Sequence, residues 1–318
     1  MPLRRPQPAP ASSKLPLPEL NAIVLQVVAE MPEGGGYRTH ASSQTLIDAI
    51  RIGTDLRIEP AHAKPSFCST ATYRVLLRTL ARLRDAGRLD VPLAAMQPLA
   101  PPTSLDSLFQ DDGKGLWGRW NANGPGTAVL FHQLGIGTNF TDWSKKRPGD
   151  FMKIWSTDPV GKKSGHSVIY LDERTDPQTG TPEVLYFSSG KPDGYARVWE
   201  PREKIVHALF AWLTTPENLT RATALPEVDG YLVSLLTAES SLAEAKQQAG
   251  VMEGVQHPTT QQPPRGEPGK KTEDCKLGRR EFEACPRLEL SFPVAPLRRP
   301  GTLSSATLPL YPASIDPQ

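Results

Sequence analysis

The chain has 318 residues, 38% hydrophobic and 22% charged, which is ordinary for a globular protein and leaves room for one large domain or two small ones. A formal net charge of +2 is too small to make nucleic acid or an anionic membrane the main partner. No run approaches the roughly 20 apolar residues of a membrane span, and the opening MPLRRPQPAPASSK lacks the apolar segment of a secretory signal.

Residues 1–17 read as a proline-rich, disordered leader, and a single domain is expected over 18–250. Its first helix, over 19–31, puts Leu20, Ile23, Val24, Val27 and Val28 on one face and stops at Gly34-Gly35-Gly36. A second helix is expected over 42–52, capped by Ser42 or Ser43. A third runs from Cys68 to Asp85, before Gly87, with Tyr73, Leu76, Leu77, Leu80 and Leu83 as its buried stripe. Arg74, Arg78 and Arg82 recur every four residues on another face, the pattern of a solvated side.

A Pro-rich connector over 91–103 leads to short helical pieces around 104–110 and 124–134, with Trp117 and Trp120 between them. The pattern then shifts to short apolar runs divided by turn residues: Phe151–Trp155, His166–Leu171, Val184–Phe187 and Ala196–Trp199. These predict an antiparallel sheet, with a hairpin connection at Asp176–Pro182. Helices are expected again at 202–213 and 228–249. Residues 251–318, rich in Pro, Gln, Lys and Gly, read as a mostly disordered tail with one short strand at Leu288–Phe292. Helices, then sheet, then helices is an α+β layout.

Of the three cysteines, Cys275 and Cys285 lie together in the tail, where they either form a local disulfide or stay reduced, and Cys68 stands alone. A lone cysteine is commonly a small buried apolar residue. Cys68, however, opens an amphipathic helix. There the dipole and unpaired N–H groups favour thiolate over thiol, and the same N–H groups suit an oxyanion. Two further features follow it. Arg147-Pro148-Gly149-Asp150 turns into the strand at Phe151, and Gly165-His166 heads an apolar strand, where an imidazole can face a helix start and shuttle a proton. His40 and His207 have no partner at metal spacing, His132 reads as a core residue and His62 as a loop residue that is solvated or lines the site, no histidine neighbours Cys275 and Cys285, and no cofactor is implied. Asp142 and Asp150 are a poor pair for glycoside cleavage, since the turn accounts for Asp150.

A helix-start cysteine, a Pro-Gly-Asp strand, and Gly-His followed by Val168-Ile169-Tyr170 resemble, in that order, the NlpC/P60 and CHAP superfamily of papain-like peptidases and amidases, over roughly residues 60–215. The resemblance implies a papain-like α+β fold with the nucleophile helix packed on the sheet. It also implies a Cys68–His166 thioester mechanism on an amide or peptide bond, with bacterial peptidoglycan as the leading substrate class and a periplasmic or secreted location if that is the substrate. The family usually has Asp-Cys-Ser-Gly where this chain has Phe67-Cys68-Ser69-Thr70, and it orients the histidine with a polar residue on the next strand. Here that strand offers Tyr186, Ser188 or Ser189, or a backbone carbonyl. Ser69, Tyr73, Trp117 and Trp120 are the candidates to meet substrate, with core packing the competing role for Tyr73 and the tryptophans. A non-catalytic binding module on the same fold, and amide or acyl chemistry on a non-wall substrate, are the alternatives.

Overall fold

The computed structural model describes residues 17–52, 55–59, 63–101, 112–160 and 165–251, all within one unit that spans Met1–Gln256. The expected leader up to residue 16, the helix at 104–110, the tail strand, Cys275 and Cys285 lie outside the described residues. The architecture is α+β. Among the described residues no helix is long and apolar enough to cross a membrane.

α1 (Leu17–Glu30) and α3 (Cys68–Asp85) pack together through the stripes expected of them: Leu20, Val24 and Val27 against Leu76, Leu77, Leu80 and Leu83, all buried. Between them lie β1 (Gly34–Gly35), α2 (Thr39–Ala49) and a small hairpin of β2 (Ile50–Ile52) and β3 (Leu56–Ile58). α2 starts earlier than Ser42 and ends earlier than 52, because the chain turns extended at Ile50 to enter the hairpin. The Pro-rich connector holds a short helix, α4 (Leu93–Met96), and α5 (Gly115–Asn121) carries both Trp117 and Trp120. α6 (Gly126–Leu134) ends at Gly135, in the left-handed region at φ 66°.

The main sheet contains β4 (Gly137–Phe140), β5 (Phe151–Trp155), β6 (Gly165–Thr175), β7 (Pro182–Gly190), β8 (Gly194–Pro201) and β9 (His207–Leu213) together with β1. Its order is β1-β8-β7-β6-β5-β9-β4, with every pair antiparallel. Alternation divides the strands between two cores. Phe151, Ile169, Phe187 and Ala211 join the helices, while Met152, Ile154, Val168, Tyr170, Tyr186 and Phe210 form a separate cluster. In β5 and β9, where nearly every residue is buried, the strands are near-continuous apolar runs.

That burial explains the main departure from expectation. Residues 202–213 are a 3₁₀ turn at Arg202–Lys204 followed by strand β9, not a helix. The run His207–Leu213 lies between β5 and β4, and a short apolar run covered on both sides has no period-two signature. The helix expected over 228–249 is two short ones, α7 (Gly230–Ser234), capped by Asp229, and α8 (Leu242–Gln248), capped by Ser241.

The arginine stripe of α3 is solvated only at Arg78 and Arg82. Arg74 is buried, and its guanidinium donates to the Ala63 carbonyl, to the Tyr195 hydroxyl at 2.7 Å and to Thr45 Oγ1 at 3.0 Å. Arg78 and Arg82 reach across to Glu30 at the end of α1, at 2.9 and 2.7 Å.

Candidate active site

Cys68 is the first residue of α3. Phe67, in the cap position, has no side chain that can serve the helix, so Thr70 reaches back instead. Its Oγ1 accepts from the Phe67 N–H and donates to the Phe67 carbonyl, both at 3.0 Å. The first intrahelical bond runs from the Ala71 N–H to the Phe67 carbonyl, so the N–H groups of Cys68, Ser69 and Thr70 precede it.

The preceding residue fixes this helix start to the sheet. Ser66 is buried, exchanges backbone hydrogen bonds with Gly36 and Arg38, and donates from its hydroxyl to Ser189 Oγ on β7 at 2.8 Å. The Trp120 indole N–H adds a 3.1 Å bond to the Ser69 carbonyl.

The Pro-Gly-Asp turn sets the other side. Gly149 has φ +94°, and a Cβ there would meet the Asn21 carbonyl at 2.8 Å, so both its conformation and its contact with α1 require glycine. Asp150 is buried; it accepts from Asn21 Nδ2 at 3.0 Å and from the Arg147 N–H at 2.8 Å. Burial pushes its carboxyl up to about 6 despite those bonds and the Arg147 charge. Asp150 is thus a clasp between α1 and the head of β5.

Along β6 the register with β5 begins at Trp155↔Gly165, whereas pairing with β7 begins only at Ile169↔Phe187. The β6–β7 seam is therefore open beside His166 and Ser167, and Cys68 addresses it. The His166 imidazole and the Ser167 N–H both favour the ionised sulfur. Burial raises the thiol pKa. Hydrogen bonding and charge from His166, the charge of Lys153 and the Ser167 N–H together outweigh it and bring Cys68 down from 9.0 to about 6. Residues far apart in the chain, His166, Ser167 and Lys153, thus act on one thiol at a helix N-terminus.

The histidine's surroundings differ from the family pattern. Tyr186 stands edge-on to the His166 ring, centroids 6.0 Å apart, while its hydroxyl is directed to Glu200 at 3.5 Å. Ser188 Oγ donates to the Ser167 carbonyl at 2.6 Å, and Ser189 is engaged with Ser66. Tyr186 thus positions His166 by ring contact, and Ser188 holds the backbone next to it. Neither places its hydroxyl as the orienting acceptor expected of a third catalytic residue.

Three of the four expected substrate contacts are corrected. Tyr73, Trp117 and Trp120 are fully buried and pack on one another, with Tyr73 centroids 5.2 and 5.3 Å from Trp117 and Trp120. The Tyr73 hydroxyl donates to the Leu99 carbonyl at 2.7 Å. They form the core behind the helix start, where no ligand reaches them. Ser69 stays at the site, its Oγ 3.9 Å from the Cys68 sulfur, although it too is buried.

The chain matches none of the protein-family models, curated proteins or solved structures with which it was compared.

Two residues that sequence reasoning did not select face the thiol. Tyr37, half-buried after β1, has its phenol pushed up to about 12 by burial and by the Cys68 charge. Its position in a glycine-rich loop gave no signal. Lys153, the middle residue of β5, is buried; its ammonium donates to Ser167 Oγ at 3.2 Å and to the Ala122 carbonyl at 3.4 Å. Burial lowers its pKa, and the charges of Cys68 and Asp112 oppose that. Here a signal existed: period two puts Lys153 on the same face as Phe151 and Trp155, where an ammonium has no water. Among the described residues no group of three or more His, Cys, Asp or Glu side chains is placed to hold a metal ion.

Proposed function

We propose that the chain is a cysteine hydrolase of the papain-like, NlpC/P60–CHAP kind, cleaving an amide or peptide bond through a thioester. The observation that carries this reading is the depressed thiol of Cys68, at the first residue of α3, with His166 as its partner.

In the reaction His166 takes the thiol proton and the sulfur attacks the substrate carbonyl carbon. The tetrahedral oxyanion is met by the Cys68 N–H and a neighbouring donor at the helix start. Collapse breaks the C–N bond, and His166 returns the proton to the leaving amine. His166 then accepts a proton from water, whose oxygen attacks the thioester, and collapse releases the carboxylic acid and returns the proton to the thiolate. Peptidoglycan stem peptides are the proposed substrate class, resting on the resemblance of the three motifs.

The test is incubation of purified wall peptides with wild type, Cys68→Ala and His166→Ala, read by mass spectrometry. Wild type produces fragments with a new amine and a new carboxylate. Cys68→Ala loses turnover by about 10⁴-fold or more, as removal of a nucleophile does. Equal cleavage by Cys68→Ala would remove the thiol from the mechanism. Cleavage of other amides but no wall peptide would keep the hydrolase and drop peptidoglycan.

A further inference from the structure

Lys153 is a buried cation with no part in the mechanism above, and a buried ammonium is costly unless it serves or is balanced. Its placement is specific. It stands opposite Ser167 in the β5–β6 register, and its Nζ donates to that serine's hydroxyl at 3.2 Å. The backbone N–H of the same serine meets the Cys68 sulfur, and the preceding residue is His166. Ser167 therefore lies between cation and thiol: its side chain accepts from Lys153, and its N–H favours the Cys68 thiolate. Asp112, also buried, is the anion acting on the lysine, and its Oδ1 accepts from Asn121 Nδ2 at 2.8 Å.

The charges alternate through this group. Asp112 is negative, Lys153 positive, the Cys68 thiolate negative and the His166 imidazolium positive, so the ion pair that starts the reaction forms in a neutral surround. The Tyr37 phenol is the remaining titratable group facing the sulfur, and the Cys68 charge itself opposes its ionisation.

We propose that Lys153 is a positioning residue for Cys68: held on Ser167 and balanced by Asp112, its ammonium stabilises the thiolate. This rests on Cys68 being the nucleophile. Lys153 acts on the sulfur alone and exchanges no proton with substrate.

The test is the pH profile of Cys68 alkylation by iodoacetamide, a neutral reagent that surface charge does not steer, in wild type, Lys153→Met and Lys153→Arg. Lys153→Met moves the inflection upward by about one unit, a net loss of about three- to fourfold in rate well below the inflection, with the alkaline plateau raised about threefold. Lys153→Arg keeps the low inflection. An unmoved inflection in a folded Lys153→Met overturns the proposal while leaving the nucleophile intact. A second measurement needs no lysine variant. In wild type labelled with [ε-¹³C]lysine, one resonance steps at the pH where the thiol ionises, and that step is absent in Cys68→Ala. If no lysine resonance follows the thiol, the proposal fails even if both variants unfold. A wild-type Cys68 that does not react at all removes the nucleophile, and this proposal with it.

Discussion

Ser66 and Ser189, 123 residues apart in sequence, share a 2.8 Å hydrogen bond between buried hydroxyls, and this bond ties the start of α3 to β7 two residues before Cys68. The helix dipole is useful to Cys68 only while the helix start faces the open β6–β7 seam, and the serine pair holds it there.

Ser66→Ala leaves the Ser189 hydroxyl without that partner in a site closed to water. The expected cost is about 1–3 kcal/mol, read as a lower urea midpoint at unchanged slope. Because the change also loosens the helix start, alkylation of Cys68 at pH 6 should slow. Unchanged stability and reactivity together would show that the helix is held by its other contacts, chiefly the Trp120 bond to Ser69.

The arginines of α3 should separate sharply. Arg74→Met removes a hydrogen bond from the buried Tyr195 hydroxyl and one from the half-buried Ala63 carbonyl, with an expected loss of about 2–5 kcal/mol. Glu30→Ala removes the partner of both Arg78 and Arg82, but all three side chains keep solvent contact, so the expected loss is about 1 kcal/mol or less. Thermal melts of the two variants check the contrast, and a Glu30 variant as damaged as the Arg74 one would contradict it.

What could be read beforehand follows from which interactions are local. The stripe of α3, the strand Phe151–Trp155 and the hairpin at Asp176–Pro182 are written in periodicity and turn chemistry, and each lies where expected. The places of Cys68 at a helix start and His166 at a strand head were legible because both are local features. The rest depends on contacts between distant segments. Arg74 shares the spacing of Arg78 and Arg82, and nothing local says that β8 and the loop at Ala63 close over it alone. Trp117 and Trp120 look equally fit for a groove or a core until Tyr73 is found packed on both. The partners of the imidazole were misjudged for the same reason: only the opening of the β6–β7 seam turns Ser188 toward a backbone carbonyl and brings Lys153 to the sulfur's side.

Asp150 gives a pH signature in stability. Its folded pKa, about 6, lies above the value of 3.8 expected when exposed, so the folded state holds the proton more tightly. The associated stability is full below about pH 4 and is lost as pH rises through 6. About two units correspond to about 3 kcal/mol. Asp150→Asn cannot titrate. The difference in unfolding free energy between wild type and this variant should therefore move against wild type by about 2.5 kcal/mol from pH 4 to pH 7. Urea melts of both proteins across that range measure it, and a constant difference would mean that Asp150 is not desolvated.

The thiol itself gives the most direct measurement. A cysteine with pKa about 6 is half thiolate at pH 6, whereas one at 9.0 is about one part in a thousand ionised, so the reactive fraction rises about 500-fold. A more acidic thiol is also a weaker nucleophile, and over three units this costs about 15- to 30-fold. Ionisation wins. At pH 6 Cys68 should be alkylated about 20 times faster than an unperturbed thiol, while above pH 9 it should be the slower of the two. His166→Ala removes the largest favourable influence on the thiolate, so its inflection should move toward the alkaline range and the advantage at pH 6 should vanish. A buried structural cysteine gives a different profile, inert to small reagents until the protein unfolds and indifferent to His166. Observing that profile in native protein would end the enzyme reading, whatever the wall-peptide assay returned.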